Sequence, residues 1–385
     1  MPYCYGMRMA WIAIAMAVSA ALDARADSFL DRFNDPEDGK FDASEYLLDH
    51  KGALPVPIII TEPAVGYGGG LALAWFSESL RDAARHSAGG RYVPPDIYGL
   101  AAFGTENGTR GIAGGARMTF DEGRWLYRAA AADVTVNLDF YGIESDLAPG
   151  LNKIGYNLKG GMVFQELNRR VGNTNHFIGA RFLYLDLATR LAADVEDANL
   201  TPKELAQRSS EIGVRWAYDS RDNLFSATRG TEAAFDAMFS DPSLGSDNRF
   251  QTYRTHAFIY TQPADGFVAA LRIDGRSARG DVPFYQLPFI DMRGIPAARY
   301  QDENTGVLET ELRYYLTPRW IAVGFIGAGR AWGRDESFAG SPSRVSKGIG
   351  FRYVIARRLG LAAGIDVARG PEQTAWYLSV GSSWR

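Results

Sequence analysis

Gly306-Val307-Leu308-Glu309-Thr310-Glu311-Leu312-Arg313-Tyr314-Tyr315-Leu316-Thr317 alternates without a break. Leu308, Thr310, Leu312, Tyr314 and Leu316 fall on one face. Glu309, Glu311, Arg313 and Tyr315 fall on the other. Successive side chains of a strand point to opposite sides of a sheet, so one surface is apolar and the other carries charge. A soluble sandwich also alternates, but turns its charged face outward. Upstream lies a long loop holding Asp291-Met292-Arg293-Gly294-Ile295; downstream comes Phe325-Ile326-Gly327-Ala328-Gly329. A loop arginine and carboxylates on the next strand would lock together if the charged face lined an enclosed, partly wet space.

The same texture extends outward from this strand. Alternating segments bounded by turn residues are predicted at about 56–62, 66–77, 95–105, 109–120, 124–140, 152–168, 175–189 and 209–220. They continue at about 229–240, 248–262, 267–279, 306–317, 320–332, 345–357, 360–368 and 374–384. Sixteen is an even number, as a closed single-chain transmembrane barrel requires. Strand 209–220 sets Ile212, Val214, Trp216 and Tyr218 against Glu211, Gly213, Arg215 and Asp219; strand 345–357 sets Ile349, Phe351, Tyr353 and Ile355 against Gly348, Gly350 and Arg352.

The connections sort by length. Tight links follow even strands, as at Asp121-Glu122-Gly123, Ala264-Asp265, Pro318-Arg319 and Arg358-Leu359. Long ones at about 190–208, 280–305 and 333–344 follow odd strands, the pattern of periplasmic turns and extracellular loops. Segment 78–94 breaks that rule, and Pro55 and Pro57 interrupt the first strand. Trp376, Leu378, Val380 and Trp384 are assigned to one face of the last strand, which is expected to close against the first. Trp384, followed by Arg385, resembles the terminal aromatic signal for barrel insertion.

Arg8, the apolar run from Met9 to Leu22 and Ala24-Arg25-Ala26 read as a signal peptide over 1–26, because the run is too short to span a bilayer. The expected organisation is therefore a leader at 1–26, a short polar segment at 27–53 and an all-β transmembrane barrel at 54–385. Cleavage would remove Cys4, the single cysteine. The net charge of −4, with no basic block, excludes nucleic acid as a partner. Abundant Gly (42), Tyr (19), Phe (21) and Trp (8) suit a large β structure.

Residues 34–45 resemble a twelve-residue calcium loop, with glycine sixth, an apolar residue eighth and Glu45 twelfth. Pro36 occupies a ligand position, however. A solvated turn followed by a short helix around Ser44 to Asp49 is the preferred reading, and no metal or cofactor is expected. None of His50, His86, His176 or His256 sits in a nucleophile elbow or a zinc-type pair. No catalytic residue is assigned, and an outer-membrane lipid hydrolase stays the lesser alternative.

Four motifs in order resemble the BamA/TamA superfamily of sixteen-stranded outer-membrane barrels, the bacterial surface antigens. Asp219-Ser220-Arg221-Asp222 with Thr228-Arg229-Gly230 is similar to its strand-turn motif. Met292-Arg293-Gly294-Ile295 looks like its lid loop. Glu309-x-Glu311-x-Arg313-Tyr314 looks like the following strand, and Phe325-Ile326-Gly327-Ala328-Gly329 like the strand after it. The resemblance implies a lid loop folded into the lumen and held through Arg293 and Gly294. Gly327 stands where the family usually carries the pairing aspartate, which shifts the expected lock to Glu311 or Glu309. Only 27–53 lies between the leader and the barrel, so the chain looks like a short member without POTRA domains. The resemblance further implies insertion or translocation of a protein or lipid client at the outer membrane. Expected partners are outer-membrane lipid and the assembly machinery for the barrel's own insertion. A passive porin-like channel is the alternative.

Overall fold

Alternation of apolar and charged residues makes a sheet that is stable only if its apolar side is kept from water, by a protein core or by lipid. A computed structural model describes residues 31–86, 93–140, 154–192, 204–334, 336–382 and 384. The predicted leader and Cys4 lie outside them. The strands are Gly52–Ile60 (β1), Gly68–Phe76 (β2), Ile97–Thr105 (β3), Arg110–Phe120 (β4), Trp125–Phe140 (β5), Ile154–Arg170 (β6), His176–Ala192 (β7) and Glu204–Asp219 (β8). They continue with Gly230–Ser240 (β9), Phe250–Ala264 (β10), Phe267–Gly280 (β11), Asn304–Tyr315 (β12), Trp320–Trp332 (β13), Arg344–Ala356 (β14), Leu361–Arg369 (β15) and Thr374–Val380 (β16). Each pairs antiparallel with the next in one sixteen-stranded sheet. Two short helices, Ser44–Asp49 (α1) and Leu80–His86 (α2), lie among the tight links.

The barrel is polar inside and apolar outside. Leu100, Ile112 and Ile349 are 68, 64 and 71% exposed, whereas Glu311 and Arg313 are 0 and 1% exposed. Leu308, Leu312 and Tyr314 of β12 also stand on the outer surface. An outer surface this apolar has lipid as its solvent. Among the described residues no helix is long and apolar enough to cross a membrane; the crossing elements are strands.

Two expectations change. The first is closure: the sheet runs from β1 to β16 in order, and no β-pairing joins β16 back to β1. Successive residues of a strand direct their N–H groups to opposite sides. Pro55 and Pro57 have no N–H, yet the β1–β2 register is regular from Gly52 to Ile60. The donors they lack therefore belong to the free edge of β1, which faces β16. The prolines strip two successive donors from the edge that would have completed the ladder.

The second concerns Trp384. Trp376, Leu378 and Val380 do face outward, but β16 ends at Val380 and the chain turns at Gly381, where φ is +76°. Trp384 thereby enters the barrel, 5% exposed, and packs with Ala227, Phe258 and Tyr260. Its ring centroid lies 5.9 Å from Phe258 and 6.0 Å from Tyr260. It is not on the lipid face of the last strand.

The long link at 78–94 acquires a reason. It holds α2, which packs on α1, and its Arg81 reaches Glu45 and Asp49, both at 2.5 Å.

Candidate functional site

The loop between β11 and β12 folds into the lumen. Ile290, Met292 and Ile295 are buried against Val307 of β12. Room for them comes from glycines on β13: a Cβ on Gly329 would lie 2.5 Å from Ile290, and one on Gly327 would lie 2.5 Å from Met292 Sδ. Gly327 is thus the floor under the loop, which accounts for the lack of a longer side chain there.

Arg293 sits at the loop's tip with its guanidinium among three carboxylates. Its Nη2 is 2.5 Å from Glu309 Oε1 and 2.8 Å from Glu311 Oε2; its Nη1 donates to Asp366 Oδ2 at 2.7 Å. Cζ also lies 3.5 Å from the centroid of the Phe325 ring. Burial pushes the guanidinium's pKa down, but the three carboxylates outweigh it and raise it above its usual value. The carboxylates are shared, since Arg313 reaches Glu311 at 2.7 Å and Arg352 reaches Asp366 at 3.1 Å. Such a network keeps buried charges paired and hydrogen-bonded, the condition under which they are tolerated.

Asp366 on β15 was not singled out in the sequence. Its signal was present: β15 alternates, and Gly350 lies opposite on β14. A Cβ on Gly350 would meet Asp366 Oδ1 at 1.9 Å. Gly294 is the companion of Arg293 at the tip. Its φ is +85°, and its N–H donates to Tyr377 Oη of β16 at 2.9 Å. Ser346 of β14 donates to the Arg293 carbonyl.

The loop therefore touches both sides of the open join. Gly294 is bonded to β16, while Ala297 N donates at 3.1 Å to Glu62 in the link after β1. On the outer face Tyr67 and Trp376 stack across the same join, with centroids 5.4 Å apart and Trp376 Nε1 donating to Tyr67 Oη at 3.1 Å.

At the tight-link end a third bridge is made by residues 34–49. Asp35, Asp38 and Asp42 converge on the guanidinium of Arg319, between β12 and β13, at 2.5, 2.8 and 2.5 Å. Arg357 takes Asp35 and Glu37, Arg358 takes Glu45, and Ala43 N donates to Ile355 O. The segment resembling a calcium loop thus spends its carboxylates on arginines. α1 follows as expected at Ser44–Asp49. This strap is tied to β13–β15 on one side of the join and, through Arg81 and the chain itself, to α2 and β1 on the other.

The turn from Asp219 to Gly230 lies apart from the loop. Arg221 pairs with Asp219 at 2.8 Å and Glu232 at 3.4 Å. Asp222 accepts from Thr228 N and Arg229 N, and Gly230 lies so close to the Ser220 carbonyl that a Cβ would sit 2.3 Å from it. The turn then crosses to the last strands: Asn223 donates to Leu359 O, and Ala227 O accepts from Arg313 at 3.0 Å. His256 stacks on Phe258 and lies 3.5 Å from Glu232.

A sixteen-stranded barrel with a charged lumen, an inward loop and an unladdered join is a transmembrane barrel of a particular type. Residues 141–291 match the Omp85 superfamily domain. Among solved structures the chain is similar to BamA from Haemophilus ducreyi lacking POTRA domains 1-3, with TM-score 0.57 and 11% identity over 86% of this chain and 70% of that one. It is also similar to CdiB from Escherichia coli, with TM-score 0.54 and 12% identity over 85% of this chain and 62% of that one. CdiB from Acinetobacter baumannii gives 0.52 and 12%, over 85% and 59%. Against both CdiB chains, then, this protein covers less than two thirds of their length. No curated protein matches the chain. The fold is the sixteen-stranded barrel of these structures.

Proposed function

We propose that the protein is an integral outer-membrane barrel that inserts or translocates a protein or lipid client at the join between β1 and β16, with the loop at 280–305 closing the lumen through Arg293. The carrying observation is the join itself: side chains and loop amides bridge it, and no backbone ladder does. Separating two strands joined this way costs a few individual contacts rather than a row of buried backbone bonds. The tight links then face the periplasm and the lid side faces outward. BamA and CdiB barrels have the same architecture, which supports this reading. The reading is non-catalytic: Arg293, Glu309, Glu311 and Asp366 neutralise one another, and His256 is engaged by Phe258 and Glu232.

The test places photo-crosslinking residues along 56–77 and 374–380, with control positions on β9. Enrichment of a protein or lipid adduct at the join over β9 supports the proposal; equal labelling overturns it. Liposome swelling separates the plugged barrel from a passive pore. Low solute flux that rises on deletion of 283–300 supports the plug, and rapid flux through the intact chain identifies a porin.

A further inference from the structure

The outer wall over β2 to β7 carries a shallow, open depression of about 1130 Å³. Its shape follows from one row of paired residues. Leu100 pairs with Gly114, Gly114 with Ala131, Ala131 with Val163 and Val163 with Tyr184. The row reads large, absent, small, large, large. Leu71 and Ile112 raise the first bank, and the wall sinks between the banks to the backbone of β4 and β5.

The next row on the same face changes character. Ile112 pairs with Asp133, Asp133 with Gly161 and Gly161 with Asp186, so two carboxylates straddle a glycine. Lys159 stands two residues further along β6, on the face of Gly161. All three charged residues line the concavity and are exposed. None of them makes an ion pair with another described residue. Beyond them the outward face turns polar, and Asn157 donates to Asn137 at 2.7 Å. The charges thus mark the upper rim of the apolar wall, where the lipid-facing cost of a charge falls from ~2–4 kcal/mol at mid-bilayer towards ~0–1 kcal/mol.

We propose that this concavity binds one phospholipid carrying a zwitterionic ammonium–phosphate headgroup of the phosphatidylethanolamine class. The acyl chains lie in the trough floored by Gly114 and Ala131. The headgroup phosphate meets Lys159, and its ammonium meets Asp133 or Asp186 through charge-assisted hydrogen bonds. The charge pattern selects this class. A purely anionic headgroup would face two carboxylates, and a purely cationic one would face Lys159 and, two strands away in the same row, the exposed Arg110. The volume lies just above the roughly 300–1,000 Å³ of ordinary small-molecule sites, as suits a two-chain lipid. The site rests on the barrel being in a membrane and not on any client passing through the join.

Native mass spectrometry tests it on the full barrel taken from nanodiscs containing equal phosphatidylethanolamine and phosphatidylglycerol, with a second arm containing lipopolysaccharide. One phosphatidylethanolamine retained per chain, falling at least tenfold in both Lys159→Glu and Ala131→Phe, is the expected result. Preferential retention of phosphatidylglycerol or lipopolysaccharide overturns the proposal, as does equal phosphatidylethanolamine retention by the wild type and both variants. Heat-modifiable gel mobility checks each variant's fold. Asp133→Lys, on the exposed rim, replaces Ala131→Phe if the latter does not fold, with the same expected loss.

Discussion

Gly327 and Met292 share one volume: a Cβ on the glycine would sit 2.5 Å from the methionine sulfur and 3.1 Å from Glu309 Cβ. Gly327→Ala should therefore lift the loop and cost about 1–3 kcal/mol, the usual penalty of overpacking. Met292→Ala in the same chain should recover most of the loss. Protease cleavage between Gly280 and Thr305 of membrane-inserted protein measures both. A single variant that cleaves like the wild type would show that the two residues do not compete.

Arg293→Ala leaves Glu309, Glu311 and Asp366 without their common partner. Breaking a buried pair costs about 3–5 kcal/mol when one member stays behind. Here the neighbouring Arg313 and Arg352 soften that figure. The loop should become protease-sensitive, and Arg293→Lys should rescue it poorly, because a point charge cannot reach three carboxylates as a planar fork does. Full rescue by lysine would refute the geometric part of the lock.

The strap should be released by acid. The hydrogen bond from Arg319 holds the Asp38 carboxyl down at about 2. Burial pushes Asp42 up, but the Ser44 hydroxyl, the Arg357 and Ser44 amides and then Arg319 bring it below its usual value. Folded pKa values below the unfolded ~3.9 mean stabilisation that is complete above about pH 4 and lost as pH falls towards 2. A spin label at Lys40→Cys should gain mobility across that window. In Arg319→Ala it should already be mobile at pH 7. A label equally immobile at pH 7 and pH 2 would contradict the assignment.

Pro55→Val with Pro57→Val restores two donors to the free edge of β1. The expected outcome is slowed hydrogen exchange at the new amides of 55 and 57 and a higher temperature of heat-modified gel migration, as β16 accepts the new bonds. Rapid exchange at both positions would show that something other than the prolines keeps the join open.

Trp384→Ala should cost about 3–5 kcal/mol, as large-to-alanine changes in packed interiors do, and should lower the same gel transition. Arg385 can be removed beside it as a control for the terminus. An unchanged transition in Trp384→Ala would mean that its contacts with Phe258 and Tyr260 contribute little.

The strands were legible because their signal is periodic and each carries it alone. The span of β13 follows directly from its alternation, and β12 shows both of its faces. The join and the strap were not legible in this way, because they depend on partners hundreds of residues apart. Pro55 and Pro57 were visible as an interruption, but which ladder they interrupt follows only from the β1–β2 register. Asp38 and Asp42 fall at the fifth and ninth positions of the loop that resembles a calcium site, and the cation they meet, together with Asp35, is a guanidinium from a turn that sequence spacing cannot bring near. Trp384 kept the parity of the strand, and parity stops meaning anything once Gly381 turns the backbone. Glu309 and Glu311 were placed by alternation alone, whereas Asp366 needed the curvature that brings β15 round to the loop.

Asp35 and Arg319 are separated by 284 positions along the chain. The carboxylates are synthesised first, and the guanidinium that gathers them arrives after three quarters of the strands. No truncated intermediate that stops before the β12–β13 turn can form this contact, and contacts of such long range form late because loop closure opposes them. The strap is consequently a late contact written into the polypeptide: Asp35 and Asp42 stay unpaired until the turn bearing Arg319 has been laid down, and are buried against it once the barrel is whole.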